Sequence, residues 1–117
     1  MNHSFEFINA VKNNDIATVR NIINKYQNRI VNEMDYFGWT PLHWACYYGY
    51  SNIVELLLDY GADTNIRTSN GVGDDYKTPK EIAEITNNKK CVKIIKNYKM
   101  KIRTKKIISS IMDVIPK

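Results

Sequence analysis

Residues 35–67 read DYFGWTPLHWACYYGYSNIVELLLDYGADTNIR, and this stretch decides the fold. Thr40 followed by Pro41 reads as a helix start. A threonine hydroxyl accepts from an orphan N–H of the first turn, and a proline at the first helical position gives up an N–H that has no partner there. Gly49 ends that short helix, and Asn52–Tyr60 forms a second, with Gly61 as its stop. Leu42, Ala45, Ile53, Val54, Leu57 and Leu58 supply the buried faces of the pair, and Ala45 is small where the two helices approach most closely.

Weaker copies flank this pair. Upstream, Phe7, Ala10, Asn14, Val19, Ile22 and Ile23 reproduce the spacing of Leu42, Ala45, Gly49, Val54, Leu57 and Leu58. Downstream, Thr78-Pro79, Ala83, Asn87, Val92 and Ile95 do the same. A single helix pair cannot bury its own apolar face, so stacked copies are needed, and terminal copies diverge because one face meets water. From Met100 the apolar residues Met100, Ile107, Ile108, Ile111, Met112 and Ile115 fall at helical spacing, with Pro116 closing the run. This predicts one more helix, packed on the open end of the third copy.

The positions Gly38-x-Thr40-Pro41-Leu42-His43-x-Ala45, then Gly49, then Ile53-Val54-x-Leu56-Leu57-Leu58, then Gly61-Ala62-Asp63-x-Asn65 closely resemble an ankyrin repeat. The resemblance implies an all-α ankyrin-repeat solenoid of about three helix-turn-helix repeats, at residues 4–34, 35–67 and 68–98 within a 1–98 domain. A basic amphipathic C-terminal helix at 99–117 follows. The third copy departs from the family pattern: Lys80, Glu81 and Lys96 replace the usual Leu, His and Leu, Asn87 replaces Gly, and residues are inserted between Gly71 and Thr78. His43 is implied to sit in the turn, held by hydrogen bonds between neighbouring turns. Tyr50, standing where similar repeats carry His, reads as structural.

The resemblance also implies where recognition would occur. The positions that similar repeats leave free are occupied here by Tyr36, Phe37, Trp39, Tyr47 and Tyr48, all aromatic, with Arg67 at the end of the repeat as a charged neighbour. If each ring exposes on the order of 100 Å², the patch is roughly 500 Å², comparable with the largest apolar patch of an ordinary monomer. Some of these rings are expected to pack on neighbouring repeats, Tyr48 on the third and Tyr36 or Phe37 on the first.

Composition excludes other classes. The chain has 117 residues, 44% hydrophobic and 25% charged, which is ordinary for a globular domain. No apolar run reaches a bilayer span, and Met1 to Ala10 lacks the basic start and apolar core of a secretory leader, so a cytoplasmic or nuclear protein is expected. Cys46 and Cys91 form no CxxC and stand in a chain with two histidines, so they read as small core residues rather than a disulfide or metal site. Gly71-Val72-Gly73 lacks the third glycine of a dinucleotide loop, and Asp74-Asp75 falls short of a calcium ligand set. Neither catalysis, cofactor nor metal is expected.

Charge is unevenly distributed. Residues 1–84 carry 7 basic and 11 acidic side chains, a net −4, whereas residues 85–117 carry 10 basic and 1 acidic, a net +9. Lys99, Lys101, Arg103, Lys105 and Lys106 form the densest part of that basic end. The leading expectation is a non-enzymatic adaptor binding a protein partner through the concave aromatic surface of the central repeat, with Trp39, Tyr47 and Tyr48 as anchors. The alternative is a basic tail that binds nucleic acid or an anionic membrane surface, and a homo-oligomer is also compatible with the aromatic patch.

Overall fold

The computed structural model describes residues 3–69 and 76–115. Among them are six α-helices: α1 (His3–Lys12), α2 (Ile16–Tyr26), α3 (Pro41–Tyr48), α4 (Ser51–Asp59), α5 (Pro79–Ile85) and α6 (Lys89–Val114). A 3₁₀ turn at Gln27–Arg29 follows α2. The expectations placed on Gly71-Val72-Gly73, Asp74-Asp75 and Pro116 lie outside the described residues.

The repeat is visible bond by bond at the corner between the two helices of each pair. Asn14, Gly49 and Asn87 all adopt left-handed backbone, with φ of 56°, 77° and 62°. The next N–H then reaches back five residues: Asp15 N to Ala10 O at 2.9 Å, Tyr50 N to Ala45 O at 2.9 Å, and Asn88 N to Ala83 O at 2.8 Å. The second helix starts each time with a bond from a valine, Val19 to Asp15, Val54 to Tyr50 and Val92 to Asn88. Asparagine can replace glycine at two of these corners because its short polar side chain tolerates left-handed backbone. At Gly49 a side chain has no room, since a Cβ there would lie 2.7 Å from Asn88 Oδ1. Asn88 is held against it by donating from Nδ2 to the Cys46 and Tyr47 carbonyls at 2.7 and 3.0 Å, so the third repeat closes the open end of α3.

Helix starts follow the expected chemistry. Thr40 Oγ1 accepts from His43 N, and the His43 ring accepts from Thr40 N at 3.1 Å. In the third repeat Glu81 does what His43 does in the second: Thr78 accepts from Glu81 N, and Glu81 Oε1 accepts from Thr78 N at 3.1 Å. Replacing His by Glu therefore preserves the reciprocal cap. His43 additionally spans the repeats, its Nε2–H donating to the Lys77 carbonyl at 2.9 Å. Burial holds its imidazole below the ordinary value of 6.5, opposed by bonds to the Lys77 and Ile66 carbonyls.

The first helices stand side by side, α1 against α3 and α3 against α5, while α4 packs on α3 and on α6. One continuous core runs through the stack, from Phe7, Val11, Val19 and Ile23 through Leu42, Ala45, Ile53, Val54 and Leu57 to Ala83, Cys91 and Ile95. All six core positions read from the central repeat are buried. Cys46 and Cys91 are free thiols in this core, and the neighbouring Cys91 thiol, then burial, push Cys46 above the usual thiol range.

The C-terminal segment departs from expectation. It is no separate helix folded back on the third repeat but the direct continuation of α6, 26 residues without a break. Residues 101–115 are all exposed. The reason is local: Lys89 to Ile115 contains neither glycine nor proline, so nothing turns the chain at position 98. No helix among the described residues is long and apolar enough to cross a membrane.

Candidate functional site

Asp35 organises the turn that leads into α3. Its backbone N–H donates to the Trp39 carbonyl at 2.9 Å, and its Oδ1 accepts from Phe37 N and Trp39 N at 2.9 and 3.0 Å. Gly38 completes the turn with φ 73°, where a Cβ would strike Ser69 N at 2.7 Å. The second carboxylate oxygen, Oδ2, accepts from Trp44 Nε1 at 2.7 Å. One aspartate thus shapes the turn and fixes the orientation of an indole on the adjoining helix.

Trp44 is the centre of an aromatic ladder. Residues 44, 47 and 48 share one face of α3 because side chains three and four apart lie over one another. Trp44 meets Trp39 at 4.5 Å between ring centroids, Tyr47 edge-on at 5.9 Å and Tyr48 stacked at 6.0 Å. Trp39 touches Tyr47 at 5.7 Å, and Tyr47 meets Tyr48 edge-on at 5.0 Å. Tyr48 stacks on Tyr50 at 5.4 Å, and the Tyr50 hydroxyl donates to the Lys12 carbonyl, which ties the ladder to the first repeat. The Lys12 ammonium sits 4.4 Å from the centre of the Trp44 ring, a cation–π contact that adds a charge to the apolar surface.

Each candidate residue has a definite place. Tyr47 and Tyr48 are both 43% exposed, so about half of each ring is spent on the ladder and the rest faces solvent. Trp39 is half-buried beside Tyr47. Tyr36 is fully exposed at the turn tip, and Phe37 is largely exposed. These two line a groove of about 510 Å³ with Phe5, Ile8 and Lys12 of α1, so they belong to a second region that joins the ladder through Lys12 and Asp35. Arg67 is engaged elsewhere: it pairs with Glu81 at 2.9 Å, donates to the Tyr76 carbonyl and lies 5.6 Å from the Tyr76 ring. It ties the second repeat to the third.

The basic residues lie along α6. Lys101, Arg103, Lys105 and Lys106 are exposed and Lys99 is half-buried. Lys101 and Lys105 border a groove of about 430 Å³ shared with Glu55 and Asp59 of α4, so part of the positive charge faces the molecule's own acids. Among the described residues no cluster of three or more His, Cys, Asp or Glu side chains is arranged to hold a metal ion.

Sequence reasoning missed Trp44 and Asp35. Trp44 falls at a position the repeat leaves free, but its spacing to Tyr47 and Tyr48 was a sufficient signal that the three share a face. Asp35 had a weaker signal, an acceptor side chain opening a turn that contains a glycine.

The family model for ankyrin repeats, three copies, matches residues 7–106. The mouse 2-5A-dependent ribonuclease is 42% identical over 64 residues, 55% of this chain and 9% of that protein. The serine/threonine-protein kinase VIK of Arabidopsis thaliana is 34% identical over 86 residues, 73% of this chain and 18% of the kinase. An ankyrin repeat protein of fowlpox virus is 34% identical over 94 residues, 80% of this chain and 12% of the viral protein. The chain therefore spans less than a fifth of the length of each of these relatives.

Proposed function

The chain belongs to the ankyrin repeat family, a non-catalytic interaction fold, and on that premise we propose that it is an adaptor that binds a protein partner through the aromatic ladder of its central repeat. Ankyrin repeats are generally protein–protein interaction modules, but the fold names no partner. The observation that carries the reading is the arrangement of Trp39, Trp44, Tyr47 and Tyr48, four rings linked through contacts with Trp44 and Tyr47, with two of them half-open to water. Such rings are pre-ordered, so a partner that covers them gains buried apolar area without first immobilising loose side chains. Tyr47 and Tyr48 are the anchors, and Trp39 and Trp44 are the platform behind them. Tyr36 and Phe37 extend the contact across the α1 groove, with Lys12 offering a positive charge between the two regions.

Proteins captured from nuclease-treated lysate by the wild type and by Tyr47→Ala/Tyr48→Ala test this, after circular dichroism shows equal helicity. A protein retained only by the wild type is the expected result. Equal retention by both removes the aromatic ladder from the function.

A further inference from the structure

Helix α6 carries two apolar stripes on opposite sides, and the repeat stack uses only one. The N-terminal half buries Cys91 and Ile95 and packs Ile94 and Tyr98 against the core. At 3.6 residues per turn, Cys91, Ile95, Tyr98 and Ile102 lie along one side. Beyond Tyr98 most apolar residues lie elsewhere: Met100, Ile107 and Ile111 fall about 170° around the helix from the buried stripe, Ile108 and Met112 widen that second stripe on one side, and Ile115 follows just past the helix end. These six are 52–65% exposed. The helix is unbroken through Val114, so it holds the second stripe away from the stack, where the protein's own core cannot cover it.

Charge selects what does cover it. Arg103 flanks one edge of the stripe and Lys105 the other, Lys101 lies between Ile108 and Met112 near that second edge, Lys99 and Lys106 occupy the polar side, and Asp113 is the one acid from residue 85 onward. A second copy of the helix would set two positive arrays side by side, and that repulsion opposes self-pairing. A nucleic acid would satisfy the lysines but leave the apolar stripe in water, and no aromatic follows Tyr98 to stack on bases. An anionic bilayer surface accepts both features, apolar side chains at the acyl boundary and lysine stems reaching back to the phosphates. The stripe with its neighbours covers close to half the helix circumference, wider than the seam of a two-stranded coiled coil.

We propose that residues 99–114 form an interfacial helix that docks the protein on an anionic lipid surface. Residues 1–98 carry 11 basic and 11 acidic side chains and are neutral as a whole, whereas residues 99–115 carry 5 basic and 1 acidic, a net +4, so attraction to an anionic surface is concentrated on the projecting end of α6. The proposal is independent of the aromatic ladder, which lies on other helices.

Co-flotation of the full chain with vesicles tests it, comparing pure phosphatidylcholine with a mixture in which a third of the lipid is phosphatidylserine. Binding to the anionic vesicles alone is expected, weakened at least roughly tenfold by Ile107→Ala/Ile111→Ala. Those positions are exposed and alanine favours helix, so circular dichroism should be unchanged. Arg103→Gln/Lys106→Gln should also weaken binding. Absence of vesicle binding, or equal binding by the Ile107→Ala/Ile111→Ala variant, overturns the proposal. So does tighter binding to duplex DNA than to the vesicles, or a dimer in lipid-free solution that the same alanines dissolve.

Discussion

Asp35 does several jobs with one carboxylate. It accepts from two backbone N–H groups of its own turn and from the Trp44 indole. Removing it leaves those donors without partners, and a half-buried unsatisfied donor is costly. Asp35→Ala is therefore expected to destabilise the fold by about 2 kcal/mol in urea titration, with the tryptophan emission shifting to the red as Trp44 is released. His43 makes a different demand. Its ring is buried, caps α3 and bridges to Lys77, and burial holds its pKa below 6.5. The neutral ring thus contributes stability that is fully present above pH 6.5 and is lost as pH falls toward the depressed folded value. His43→Gln can retain the reciprocal cap with Thr40 but has no proton to gain. Its stability should change less with pH between neutral and mildly acidic conditions than that of the wild type, as denaturant melts across that range would record. These residues differ in how readily the sequence discloses them. His43 sits inside a local motif whose roles are set by backbone spacing. Asp35 and Trp44 act through each other across nine positions, and their pairing requires the turn to be folded first.

At the scale of the element, the corners between paired helices were readable because they are backbone requirements. Asn14, Gly49 and Asn87 occupy equivalent left-handed positions, and only residues that tolerate positive φ serve there. Gly49→Ala combines that strain with a collision against Asn88 and should cost at least about 2 kcal/mol. Asn87→Gly should be neutral or slightly stabilising in the same urea titration, because it relieves the corner without adding atoms. The tail was harder. Its helical periodicity was legible, and the expectation that it packs on the third repeat followed from its apolar content. What decides its fate is phase: the stripe through Cys91, Ile95 and Tyr98 and the stripe through Ile107 and Ile111 point to opposite sides of one rigid helix. Listing apolar residues does not reveal this. Following both stripes around a common axis does.

The whole molecule is a short stack with a helix projecting beyond its core. Phe7 at one end and Ile95 at the other belong to one core, and each repeat is locked to the next by Tyr50, His43, Asn88 or Arg67. The exposed end of α6 contributes nothing to that core. Ending the chain at Arg103 should therefore leave the urea midpoint essentially unchanged while removing most of the outward apolar stripe. A substantially lower midpoint would mean that the tail supports the stack.

The central claim is that the aromatic ladder holds a protein partner. The most direct test is calorimetric titration of the captured partner into three forms: the wild type, Tyr47→Ala/Tyr48→Ala, and the chain ended at Arg103. Loss of two ring anchors should weaken binding by about thirtyfold or more, corresponding to about 2 kcal/mol, while the shortened chain binds as the wild type does. Unchanged affinity in the ring variant, with binding lost in the shortened chain, would contradict the account and move recognition to α6.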